Sequence, residues 1–79
     1  MIELRAMTVK ERRAFQNYIK EKQGNATGEE LANWIIDNLY PELKGKELYP
    51  DMLVAIFEKT NDLTKAEVEK QGKELVKNW

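Results

Sequence analysis

The chain has 79 residues, 42% of them hydrophobic and 34% charged, with a formal net charge of −1. That length holds one small domain, residues 1–79, with a thin core. The composition is that of a globular chain rather than a disordered one. Cys, His and Ser are all missing. Their absence excludes Ser or Cys nucleophiles worked by a His base, zinc sites of the Cys/His kind and disulfides. Acyl carrier proteins have this size but need a Ser for the prosthetic arm, so they are excluded too. No apolar run approaches the roughly 20 residues that span a bilayer. The start, MIELRAMTVKERR, lacks the apolar core and small-residue cleavage site of a secretory signal. A cytoplasmic chain is expected, with no membrane partner.

The first seven residues, MIELRAM, alternate Ile2, Leu4 and Ala6 with Glu3 and Arg5. That is a strand period, but an isolated strand has no ladder. The segment is expected to pack as an extended lead-in or to pair with another chain.

Three copies of Thr-x-x-Glu follow, at Thr8–Glu11, Thr27–Glu30 and Thr64–Glu67. Each has the form of a capping box, in which Thr accepts from the third helical amide and Glu reaches back to the Thr amide. The threonines are read as caps rather than nucleophiles. The first box predicts a helix over about Val9–Gln23, closed by Gly24 as a left-handed cap. Its stripe is Phe15, Tyr18 and Ile19, extended by Ala14 and the stem of Lys22. The second box predicts a helix over Gly28–Leu39, with Leu31, Ile35 and Leu39 on one face. Ala32, Trp34 and Ile36 widen that face, which suits the central helix of a bundle.

Leu-Tyr-Pro then occurs twice, at Leu39–Pro41 and Leu48–Pro50. A residue before proline is pushed out of the helical region, so Tyr40 is expected to stop the second helix. Pro50 is favoured at a first helical position and Asp51 suits the positive end of the dipole, so a third helix is expected to start there. Between them Glu42–Lys44 is expected to form a single turn before Gly45. The third helix is drawn to about Lys59, with Met52, Leu53, Ile56 and Phe57 on one face. The third box, with Leu63 and Val68 as a hydrophobic staple, predicts a fourth helix over about Lys65–Lys77. Its face is Val68, Gly72, Leu75 and Trp79, and Glu69–Lys73 is a favourable pair. The fold expected is all-α, four helices and an extended lead-in. Its core is Phe15, Ile19, Leu31, Ile35, Leu39, Leu53, Ile56 and Phe57.

Charge is uneven, at +3 over residues 1–23, −5 over 24–63 and +1 over 64–79. Arg12, Arg13, Lys20 and Lys22 form a basic first helix, which allows a small nucleic-acid-associated regulator as one reading. A helix-turn-helix needs a turn of 3–4 residues, whereas the connection here is about ten residues and the third helix carries one base, Lys59. The basic face is expected to be solvated or to meet an acidic protein, and nucleic acid is not the expected ligand. Glu29 and Glu30 are adjacent and point to different sides of a helix. No calcium-binding loop pattern is present, and Asp37 is expected on a polar edge. No catalytic, cofactor-binding or metal-binding residue is assigned. A third reading is a structural adaptor that oligomerises.

Taken in order, ELRAMTVKERRAF, WIIDNLYPEL and DMLVAIFEKTNDLTKAEVEKQGKELVKN resemble the small tail assembly chaperones encoded by tailed bacteriophages and prophages of Gram-positive bacteria. The resemblance covers most of the chain, with Met7 where a leucine is expected before the first cap. It implies a non-enzymatic protein that binds the long tape measure protein and keeps it soluble until the tail tube assembles around it. It also implies that a longer product of ribosomal frameshifting often accompanies such a chain. The family has no catalytic residues to carry over. From the residues alone, Tyr40, Tyr49, Val68, Leu75 and Trp79 are the candidate anchors for a helical client or for self-association, because Tyr and Trp favour interfaces and exposed apolar clusters mark them. The other expectation for the fourth helix is that it closes the bundle.

Overall fold

The computed structural model describes residues 3–76. Thr8 starts the first helix. Its hydroxyl accepts from the Glu11 amide at 3.2 Å, and the Glu11 carboxylate accepts from the Thr8 amide at 2.9 Å. The two donors orphaned at the helix start are thus satisfied reciprocally. Helix α1 runs Val9–Glu21. Two bonds end it: Gln23 N–H donates to Lys20 C=O, and Gly24 N–H donates to Ile19 C=O. That is a Schellman closure. Its left-handed position falls on Gln23, φ 54°, one residue before the expected Gly24, which follows at φ 77°.

Helix α2 runs Gly28–Leu39. The Thr27 hydroxyl accepts from the Glu30 amide at 3.1 Å. Tyr40 leaves the helical region at φ −126°, ψ 64°, and Pro41–Leu43 form one 3₁₀ turn. Gly45 follows at φ 81°. Pro50 then opens helix α3 at its first position, with Asp51 in the first turn. The doubled Leu-Tyr-Pro is therefore one stop and one start.

The expected break after Lys59 does not occur. Helix α3 runs without interruption over Pro50–Leu75, so the fold has three α-helices among the described residues rather than four. Two facts explain the difference. From Asp51 to Gln71 the chain contains neither Gly nor Pro, so nothing forces a residue out of the helix. Thr64 also does something other than cap. Its hydroxyl donates back to the Thr60 carbonyl at 2.7 Å, an internal bond that threonine makes inside a helix without ending it.

Helix α2 is the middle element, and both α1 and α3 pack on it. Met7, Phe15, Ile35, Leu39 and Tyr40 form one buried cluster, with Leu4, Ile19, Leu31, Trp34, Ile56 and Phe57 against it. Ala32, Ile36 and Leu53 form a second cluster, joined to the first through Leu43, Ile56 and Phe57. Phe15 is the link between α1 and the rest. Its ring centroid lies 5.2 Å from Trp34 and 6.3 Å from Phe57, both tilted, a geometry aromatic quadrupoles favour. Of the eight core residues expected from the sequence, Phe15, Ile35, Leu39 and Leu53 are buried members of these clusters, and Ile19, Leu31, Ile56 and Phe57 are half-buried against them. Met7 and Tyr40 were not among the eight.

The shape is flat, 45 × 33 × 19 Å, with a radius of gyration of 13.7 Å, against about 12 Å for a compact chain of this length. The lengths of the helices are the cause. Helix α3 is about 39 Å long and α2 about 18 Å at 1.5 Å per residue, so α2 covers less than half of α3.

Ile35 is fully buried at the centre. Ile35→Ala is expected to cost roughly 2–5 kcal/mol, read as a large fall in the thermal midpoint; an unchanged midpoint would refute the central placement of α2. Gln23→Gly relieves a left-handed non-glycine residue. It is expected to raise stability by up to about 1 kcal/mol, measurable by urea denaturation.

Candidate protein-interaction surface

Of the five expected anchors, Tyr40 behaves least like a surface residue. It is 2% exposed, and its ring belongs to the core cluster. The reason is its position just past the end of α2, where the chain turns and directs the ring inward between α3 and the lead-in. The hydroxyl accepts from the Arg5 amide at 3.0 Å, donates to the Arg5 carbonyl at 3.2 Å, and lies 2.8 Å from the Thr60 hydroxyl. A phenol has one proton. With that proton on the Arg5 carbonyl, the Thr60 hydroxyl is the donor in the third bond.

Thr64 completes the arrangement by accepting from the Met7 amide at 2.9 Å. In an extended segment the amides of alternate residues face one side. Arg5 and Met7 are two apart, and both find hydroxyls there. These side chains supply what a neighbouring strand would, so the lead-in packs on its own chain. Among the described residues no buried side-chain nitrogen or oxygen lacks a partner.

An ion pair secures the same segment to α1. The Arg5 guanidinium meets the Glu11 carboxylate at 2.7 and 2.8 Å, in bidentate form. This bond holds the Glu11 carboxyl at about 2, with the Thr8 backbone amide acting in the same direction and burial opposing.

The remaining described anchors, Tyr49, Val68 and Leu75, lie on two separate patches. Tyr49 caps the start of α3 and is 78% exposed, beside a cleft lined by Glu47, Leu48 and Pro50. Val68 and Leu75 lie towards the other end of α3. At 1.5 Å per residue Tyr49 is about 28 Å from Val68 along the helix. The expectation of Tyr40 as a surface anchor is therefore corrected. Tyr40 is in the core, Tyr49 stands apart, and Trp79 lies outside the described residues.

Val68 and Leu75 do share a face. They are seven residues apart, which returns a helix to nearly the same side. The covering of α3 fails progressively along its length. Leu53 is buried under α2, and Thr60 and Thr64 under Tyr40 and the lead-in. Val68 is 42% exposed beside the first turn of α1, and Leu75 is 85% exposed. Val68 lines a recess of about 70 Å³ with Met7, Val9 and Arg12, and Val9 is itself exposed. Val9 and Val68 line this recess together, and Leu75 lies on the same face of α3 about 10 Å further along. The end of α3 does not close the bundle at Leu75.

The basic residues of α1 are partly engaged. Lys22 pairs with Glu30 at 3.4 Å and lies 5.7 Å from the Tyr18 ring centroid, while Arg12 borders the recess. Asp37 is exposed, as expected. Among the described residues no group of three or more acidic side chains is placed to hold a metal ion, and no helix is long and apolar enough to cross a membrane. No known family model, curated protein or solved structure matches this chain.

The residues that sequence reasoning missed are Met7, Thr60 and Thr64. The one available signal was the i, i+4 spacing of the two threonines, which puts both on one face of a helix.

Glu11 sets a pH dependence. Its folded pKa lies below the ordinary carboxylate value, so the unfolded chain binds the proton more tightly. The ion pair's contribution is complete above about pH 5 and is lost as pH falls towards 2. Arg5 is 45% exposed, so screening holds the contribution to about 1 kcal/mol. Glu11→Gln is expected to lower stability at pH 7 by about that amount and to flatten stability between pH 5 and 2, as followed by urea denaturation across that range.

Proposed function

We propose that this chain is a non-enzymatic protein-binding module whose Val68–Leu75 row takes an amphipathic helix of a client. The observation that carries the reading is the exposure of Leu75, 85%, on the same face of α3 as Val68. Leu75 and Val68 are spaced as the anchors of a helix-in-groove contact are spaced. A row of this kind, bordered by Glu67, Gln71 and Arg12, offers an apolar strip with a polar rim.

The resemblance to tail assembly chaperones supplies the client. In that role the chain binds helical segments of a tape measure protein and keeps them from aggregating before the tail tube forms. The work is done by burial of apolar surface and needs no catalytic group. The host cytoplasm is the proposed place of action.

Co-expression with the tape measure protein of the same genome tests the proposal. Wild-type chain is expected to keep the client soluble and to co-purify with it. Leu75→Glu, at an exposed site, is expected to change stability by no more than about 0.5 kcal/mol while abolishing co-purification. Undiminished co-purification by the folded Val68→Glu, Leu75→Glu double variant would overturn the proposal. A dimer dissociated by Leu75→Glu, with no client retained, would replace it with self-association.

A further inference from the structure

The lead-in is attached to the rest of the molecule in an unusual way. No backbone-to-backbone hydrogen bond joins residues 3–7 to another described residue. Three backbone groups of the segment instead end on two side-chain hydroxyls, those of Tyr40 and Thr64. Both hydroxyls are anchored from behind. Tyr40 shares a bond with Thr60, and Thr64 donates to the Thr60 carbonyl. The Thr60–Thr64 wall is therefore complete within α3 before the lead-in arrives. Met7 is a buried member of the first core cluster and Leu4 packs against it, while the Arg5–Glu11 pair is at the surface.

We infer that residues 3–7 are a strap that opens as one unit, ahead of the three-helix body and of the Thr8 cap that belongs to it. The wall beneath it, made by Tyr40, Thr60 and Thr64, holds the backbone edge of the strap in cis. The reasons are physical. The helices keep their own backbone bonds when the strap leaves, whereas the strap keeps none, so the boundary between cooperative units falls at Thr8. The two hydroxyl contacts stand or fall together because residues 5 and 7 are one extended run. This inference does not rest on the client proposed for the Val68–Leu75 row, since Leu75 takes no part in it.

Native-state amide exchange on the full chain, with each rate normalised to its intrinsic value, tests the strap. The Arg5 and Met7 amides are expected to show equal protection, at least tenfold lower than that of Ile35 and Leu39. Tyr40→Phe keeps the ring and removes the hydroxyl. It is expected to accelerate exchange at Met7 as well as at Arg5 by at least tenfold, with Ile35 and Leu39 unchanged. Thr64→Val is expected to accelerate Arg5 as well as Met7. Protection of the strap equal to that of Ile35 in the wild type would overturn the inference. So would a Tyr40→Phe chain that frees Arg5 alone, or one that fails to fold.

Discussion

A buried tyrosine has to find partners for its hydroxyl inside the protein, and the fold is arranged around how Tyr40 finds them. An unsatisfied buried polar group costs about 1–3 kcal/mol, a sizeable fraction of what holds a small domain together. Tyr40 meets this requirement with groups from three parts of the chain. Its ring comes from the end of α2, its hydroxyl meets Thr60 of α3, and it brackets Arg5 of the lead-in. Thr64, one turn along α3, repeats the contact at Met7. A six-residue extended segment with no strand to pair with is thereby given hydrogen bonds, and with them a fixed place. That place brings Met7 into the core and the start of α1 against Val68.

The second constraint is one of length. Helix α3 has 26 residues and α2 has 12, so no arrangement of α2 alone can bury one whole side of α3. The lead-in and the first turn of α1 extend the cover by a few turns, and it ends before Leu75. An exposed apolar side chain at the end of a helix is common by itself. In this chain it continues the inward face of α3 beyond Val68, whose recess Val9 shares. The row is a consequence of the mismatch between helices rather than of a hydrophobic excess in the sequence.

Much of the architecture was legible from local chemistry. Thr8–Glu11, Thr27 and Pro50 marked the helix starts because capping and the proline dihedral act within four residues. The breadth of the apolar face on α2 placed that helix in the middle. Thr64 failed as a signal even though its pattern, Thr-x-x-Glu with a staple, was the most complete of the three. A capping box is a local option, and a threonine inside an uninterrupted helix has another one in the carbonyl four residues back. Which option is taken depends on whether the rest of the fold needs that side chain, and here Met7 does. Tyr40 was misread for a similar reason. Its position before Pro41 gave the turn correctly, but a turn residue's burial depends on which element folds over it.

The candidate site divides in the same way. Val68 and Leu75 were legible as one face because their spacing is a property of a single helix, while Tyr49 was grouped with them only because tyrosine favours interfaces. One continuous helix moves it about 28 Å away. The sequence by itself determined the helical class, the first two caps, the stop at Tyr40, the start at Pro50 and the eight core positions, because each depends on groups within one or two turns of each other. The tertiary structure alone decided that the last two expected helices are one, that Tyr40 lies inside, and that the lead-in is held by hydroxyls 35 and 57 residues away. Those outcomes turn on long-range hydrogen bonds and relative helix lengths, which no local pattern encodes.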